Sequence, residues 1–302
     1  MTAALCLGTY RVRAVSQAAR AALAAGSPWV DTAPNYGRGQ AHEELRPMLG
    51  GGYPTVRVAT KTGFFTEEQG RSALAEGVLT REEAAGRHSL ERGFVRWQTE
   101  RSLAALGRVD LVFVHNPEHH GHGLDRAALH GRVREAFTAL EEFAHAGRIG
   151  GYGVATWSGL TSGAFSVAEL LALARQAAGS AEHHFTGMQM PVSLIMDAPI
   201  TQALNGGGPL VQAKDAGLIT FGSAPLHGGE LLDAMTLELV NLIRPGLSAA
   251  AAALLAAGSC PGLDVVLTSA STREHWDDVA KALAAPLTAQ ELRRVTDELA
   301  GE

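Results

Sequence analysis

Three titratable residues each stand where a short apolar run stops. Asp31 follows Trp29-Val30, Lys61 closes Val56-Arg57-Val58-Ala59-Thr60, and His115 closes Leu111-Val112-Phe113-Val114. A carboxylate, an ammonium and an imidazole are groups that proton transfer uses. Lysine is scarce, with Lys61, Lys214 and Lys281 the whole set. Lys61 is therefore marked, because arginine cannot supply a compact ammonium whose pKa shifts readily. His115 also opens His115-Asn116-Pro117-Glu118-His119, which spells the H-x-x-E-H of an inverted zinc-protease pattern. That pattern needs a helix to bring both histidines to one face. Pro117 inside it and the apolar run before it argue against a metal, and no metal ligand is assigned. The extra histidines His119, His120 and His122 are read as lining the substrate mouth or as solvated loop residues.

The apolar runs read as strands. Short buried strands that each present a polar side chain at the C-terminal end are how an α/β barrel builds an active site. Further runs continue the series, giving strands over 4–10, 29–33, 56–61, 110–115, 149–156, 185–194, 218–223 and 263–269. Helical stretches lie between and after them, over 14–26, 40–49, 89–106, 125–146, 167–178, 209–216, 248–257, 275–283 and 288–299. Glycines at 26 and 107 act as stops. Val133, Phe137, Leu140 and Phe143 fall near one helical face. Residues 62–88 break the rhythm. A capping box at Thr80-Arg81-Glu82-Glu83 marks one short helix there, and the rest reads as an inserted loop. Residues 117–123 read as a histidine-rich loop, and 225–245 as a long loop carrying a helical turn.

Alternation of this kind implies a parallel sheet. The expectation is an α/β fold, a (β/α)8 TIM barrel forming a single domain over 1–302, with its active site at the C-terminal strand ends. No Gly-x-Gly-x-x-Gly follows the first strand, which weakens a dinucleotide-binding open sheet.

The totals exclude other classes. The chain has 302 residues, is 46% hydrophobic and carries a formal net charge of −6. That balance argues against nucleic acid as a partner. Cys6 and Cys260 are far apart and form no disulfide framework, which suits a reducing cytoplasm. No signal peptide is read at the N-terminus, and no segment is apolar for long enough to span a membrane. Oligomeric state leaves no mark.

Several segments in order carry a resemblance: Asp31-Thr32-Ala33-Pro34-Asn35-Tyr36-Gly37, Ala59-Thr60-Lys61-Thr62-Gly63, Asp110 to His115, and Gly147-Arg148-Ile149 with Gly153-Val154. The chain resembles an aldo-keto reductase over nearly its whole length. The resemblance implies a catalytic tetrad of Asp31, Tyr36, Lys61 and His115. The chemistry is coherent. A phenol with a pKa of about 10 is a poor acid at neutral pH, and a neighbouring ammonium lowers that pKa. Asp31 would hold Lys61, His115 would hydrogen-bond the substrate carbonyl, and Tyr36 would protonate its oxygen.

The resemblance also implies NADPH or NADH as cofactor, and departs from the family's pattern on that side. Thr156 is a single candidate contact for the nicotinamide amide, next to Ala155, and Gln189 matches a family glutamine that reaches the same amide. The segment Phe221 to Gly229 resembles the phosphate-side loop, with Ser223, Leu226 and Gly228 as its contacts. Ser223 stands where many members stack an aromatic ring, so either Phe221, Trp157 or another ring takes that role or the nicotinamide is held less tightly. Ser269, Arg273 and Asp278 fall in the final cofactor segment, with Arg273 the remaining candidate for a 2′-phosphate. The preference between NADPH and NADH stays open. Two readings follow. The first is an oxidoreductase reducing an aldehyde or ketone, or oxidising a sugar-like lactol or alcohol, with Tyr36 as proton donor. The second is a non-redox acid/base enzyme (a dehydratase, epimerase or lyase) using the same tetrad. Under both, the partner is a small-molecule substrate.

Overall fold

The computed structural model of the chain describes residues 2–49, 52–120 and 125–301. Eight strands form: β1 (Ala4–Gly8), β2 (Trp29–Asp31), β3 (Arg57–Thr62), β4 (Leu111–His115), β5 (Tyr152–Ala155), β6 (Phe185–Pro191), β7 (Ile219–Ser223) and β8 (Val265–Thr268). They close into a parallel barrel in chain order, as expected for a (β/α)8 fold. Strands buried on both faces should read as nearly continuous apolar runs. β3 is buried from Val58 to Thr62, and β4 from Leu111 to Val114. Seven of the strands are shorter than the sequence runs, since pairing stops where the chain turns into its loops, and β3 keeps its length one residue further on. No helix among the described residues is long and apolar enough to cross a membrane.

The chain divides into two compact units, Val30–Met188 and Met1–Trp29 with Gln189–Glu302. In the first, β3 pairs with β4 and β4 with β5 in fixed register: Lys61 lies opposite Phe113, and His115 opposite Ala155. Helix Arg126–His145 packs Val133, Phe137, Leu140 and Phe143 inward, which is the face the periodicity marks. Gly153 has no room for a side chain, because a Cβ there would lie 2.0 Å from the carbonyl oxygen of Gly187.

The segment 62–88 is not a plain loop. Besides the helix Arg81–Gly86, whose capping box forms as read, it folds a second helix, Glu67–Ala75, capped by Thr66. Phe65, Ala73 and Leu79 pack on Phe94 of helix Arg92–Leu106, giving the insertion a small core. The periodicity there is short, which hid the first helix from the sequence reading. Pro117–His120 likewise makes one helical turn where a loop is expected. The rest of that loop, with His122, falls within 121–124, which lie outside the described residues.

In the second unit, β1 pairs with β8 and β8 with β7. Helix Ala249–Gly258 is buried from Ala251 to Gly258. Ser248 caps it and donates to the Asp278 carboxylate at 2.6 Å. Phe221 of β7 sets its ring edge-on to Trp29, 5.2 Å between centroids.

Candidate active site

The strand ends of the first unit bring Asp31, Tyr36, Lys61 and His115 together. Asp31 ends β2 and Lys61 is the penultimate residue of β3, and both are almost wholly buried. The Lys61 ammonium donates to Asp31 Oδ1 at 2.5 Å and to the Thr32 carbonyl at 3.1 Å. A buried charge needs such partners. Burial pulls the Lys61 pKa down, and the Asp31 carboxylate opposes that. Tyr36 begins a short turn, Tyr36–Gly39, in which Gly37 and Arg38 are left-handed. Its ring lies 5.0 Å from Lys61 Nζ and 6.0 Å, edge-on, from the His115 ring.

His115 closes β4. Burial first, then the charges of Lys61 and His88, hold its pKa well below the ordinary histidine value. The imidazole is therefore neutral at physiological pH, a hydrogen-bond donor on one nitrogen and an acceptor on the other. His88 Nε2–H donates to the His115 carbonyl at 2.8 Å. The Phe64 ring lies against His88, His115 and His119, with centroids 4.4, 5.0 and 5.1 Å away.

Two supporting residues, Gln98 and His42, escaped the sequence reading, as did the role of a third, Glu118. Gln98 pins the end of β3: its carbonyl accepts from the Thr62 hydroxyl at 2.9 Å and the Gly63 N–H at 2.8 Å, while its amide donates to the Phe64 carbonyl at 2.9 Å. His42, in helix Ala41–Leu49, hydrogen-bonds the Thr60 hydroxyl at 3.0 Å, and burial with the Lys61 charge lowers its pKa to about 3. Glu118 Oε1 gathers the turn after β5, accepting from the Thr156 hydroxyl at 2.9 Å and from the N–H groups of Trp157 at 2.8 Å and Ser158 at 2.9 Å. These links span tens of residues in sequence and follow no local motif, so only the Glu118 pattern next to His115 was visible beforehand.

The residues expected on the cofactor side are placed as follows. The Thr156 hydroxyl donates to Glu118 and accepts from the Gly159 N–H at 2.9 Å. Gln189 is buried in β6. Ser223 ends β7, and Leu226 and Gly228 lie in the turn that follows, where Ala224, His227, Gly228 and Gly229 all have positive φ. The Ser269 hydroxyl lies 3.0 Å from both the Gly8 and the Tyr10 carbonyls. Arg273 is tied to Asp277 at 2.7 Å and reaches the Ala24 carbonyl at 3.3 Å. The Phe221 ring has no exposed surface, whereas Trp157 is 44% exposed. A cleft of about 540 Å³ opens beside it, lined by Asn116, Glu118, His119, Trp157, Ser158 and Ser162 among others.

Over residues 4–168 the chain matches the model of the aldo/keto reductase family. No curated protein matches its sequence. Similar solved structures include the glycerol dehydrogenase of Gluconobacter oxydans, with a TM-score of 0.71 at 19% identity over 99% of this chain and 92% of that one. An aldo/keto reductase from Klebsiella pneumoniae, solved with NADP and acetate, gives 0.69 at 19% identity over 98% and 90%. The holo form of an aldo-keto reductase from Bacillus halodurans gives 0.66 at 19% identity over 99% and 92%. At such identities the likeness speaks for the fold.

Proposed function

This chain belongs to the aldo/keto reductase family, whose members are NAD(P)-dependent oxidoreductases, and on that premise we propose that it reduces an aldehyde or ketone, or oxidises a sugar-like lactol or alcohol, with Tyr36 as the proton donor. The observation that carries the reading is the grouping of a buried Lys61–Asp31 pair with the Tyr36 and His115 rings. We take residues 1–302 to act as one catalytic domain. Both cysteines are buried and free, which supports a reducing, cytoplasmic setting.

Asp31 keeps the ammonium of Lys61 in place. That ammonium, 5.0 Å from the Tyr36 ring, favours the phenolate and so makes the phenol a stronger acid. His115, neutral, donates a hydrogen bond to the carbonyl oxygen and fixes its position. Tyr36 gives its proton to that oxygen as the carbonyl is reduced, and takes it back in the reverse direction. A dinucleotide, NADPH or NADH, supplies the hydride when bound. Thr156, Gln189, Ser223, Leu226, Gly228, Ser269, Arg273 and Asp278 are the residues we assign to holding it. The turn at Gly228 fits a dinucleotide's phosphates, because it brings left-handed backbone and a guanidinium together: a Cβ at Gly228 would lie 2.4 Å from Arg11 Nη1.

The test is a titration of the purified protein with NADPH and NADH, following tryptophan fluorescence. Absence of binding for both at millimolar concentration sinks the oxidoreductase mechanism and leaves the non-redox acid/base reading. With binding in hand, Tyr36→Phe should lower turnover by about 10²–10⁴-fold, the range for one positioned proton donor, with the cofactor Kd nearly unchanged. Retained turnover in that variant removes Tyr36 as the donor.

A further inference from the structure

Arg11 follows β1 and is exposed, with φ at +58°, a left-handed conformation uncommon outside glycine. Its guanidinium carbon lies 5.4 Å from the centre of the Tyr10 ring. Among the described residues no carboxylate forms an ion pair with it. Arg273, the cation that the sequence offers for phosphate, is by contrast engaged by Asp277.

The position of the Arg11 head is more telling than its freedom. It lies directly against the backbone of Gly228, so close that a Cβ would meet Nη1 at 2.4 Å. The stretch 224–229 turns through left-handed residues, with φ of 50° at Ala224, 48° at His227, 71° at Gly228 and 102° at Gly229. Successive backbone amides in such turn conformations make concave anion sites. Ser269 bonds the Gly8 and Tyr10 carbonyls, which ties the end of β8 to the loop that carries Arg11. Phosphate sites in this barrel architecture are frequently formed by the loops after strands 7 and 8. Here an uncommitted guanidinium from the β1 loop is laid over that turn.

We propose that Arg11 is a phosphate clamp: its guanidinium binds the pyrophosphate of the dinucleotide against the Gly228 turn. Planar guanidinium groups suit this, since two parallel N–H donors match two phosphate oxygens. The assignment rests on the oxidoreductase reading given above. It favours the pyrophosphate over the 2′-phosphate because Arg11 packs on the turn after β7, not on the helix start after β8 where Arg273 sits. The clamp therefore serves NADH and NADPH alike.

Binding constants for NADH and NADPH, from tryptophan fluorescence or calorimetry, test this in wild type, Arg11→Ala and Gly228→Ala, with circular dichroism as the folding control. Arg11→Ala should raise both constants by the same factor, about tenfold or more, as expected for loss of a hydrogen bond to a charged group. Gly228→Ala keeps the charge but displaces the guanidinium, and should raise both constants too. A Kd within twofold of wild type in Arg11→Ala, or an unchanged Kd in Gly228→Ala, overturns the clamp. A loss confined to NADPH also overturns it, since that places the guanidinium on the 2′-phosphate. If wild type binds neither cofactor, the oxidoreductase reading falls as well; if wild type binds and Arg11→Ala binds equally, the clamp alone falls.

Discussion

The Asp31→Asn substitution probes the buried pair most directly. Lys61 and Asp31 side chains are 1% and 4% exposed, and the ammonium donates to Oδ1 of Asp31 and to the Thr32 carbonyl. Removing one member of such a pair costs about 3–5 kcal/mol. Burial already drives the Lys61 pKa down from 10.5, and the carboxylate opposes that; without it, burial acts unopposed and favours the neutral amine in the folded state. Holding a lysine neutral costs about 1.4 kcal/mol for each pH unit below its ordinary pKa, or about 5 kcal/mol at pH 7. The unfolded chain then binds one more proton than the folded one up to pH 10.5, the ordinary lysine value, so the variant's stability rises with pH. Denaturant unfolding of the single variant and of Asp31→Asn/Lys61→Met, at pH 7 and pH 9, measures this. The double variant, with no buried amine, should recover most of the loss at pH 7. The gap between single and double should narrow by about 3 kcal/mol by pH 9. A double variant as unstable as the single, or a gap that does not change with pH, refutes the account.

Two further outcomes follow from the surrounding residues. His42 titrates at about 3 because of burial and the Lys61 charge, so between about 6.5 and 3 the unfolded chain takes up a proton that the folded chain refuses. Stability is thus lost as pH falls through that window, by about 1.4 kcal/mol per pH unit for this group; His42→Gln should flatten the plot of unfolding free energy against pH by that slope between pH 4 and 5.5, and parallel plots would contradict it. Glu118→Ala removes the acceptor shared by Thr156, Trp157 and Ser158. A loss of about 1.5–3 kcal/mol is expected, with faster amide hydrogen exchange at Trp157 and Ser158; unchanged exchange there would show that Glu118 does not hold the turn.

How much of this could be read in advance depends on range. The strand ends at Asp31, Lys61 and His115 were legible because a buried parallel strand must be apolar, and a titratable residue closing it stands out. The capping box at Thr80 was legible for the same local reason. The helix Glu67–Ala75 was not, since its stability comes from Phe65, Ala73 and Leu79 meeting Phe94, a contact made across the chain. The same holds for Gln98 at the end of β3, Glu118 at Trp157 and Arg11 at Gly228. In each, the residue type is ordinary and only the fold gives it a partner. The turn chemistry of 224–229 was visible as glycine and proline letters, but the guanidinium over it comes from the other end of the sequence.

The electrostatics of the site turn on one buried cation. After burial, the Lys61 charge lowers the pKa of both His42 and His115. Two imidazoles beside an ammonium cannot all be charged at short range in a desolvated site. The charge stays on Lys61, where Asp31 at 2.5 Å matches it, and the imidazoles stay neutral. This bears on which group protonates the substrate in the proposed mechanism. A protonated His115 would be a stronger acid than a phenol and would compete with Tyr36 for that step. Held neutral, it can donate a hydrogen bond but parts with a proton far less readily than an imidazolium. The same ammonium acts on Tyr36 in the opposite sense, because phenolate is the charged form of that group and is favoured by a positive neighbour. One charge therefore disarms the imidazole as an acid and strengthens the phenol. The division of labour between His115 and Tyr36 follows from where Lys61 lies, and Asp31 keeps it there.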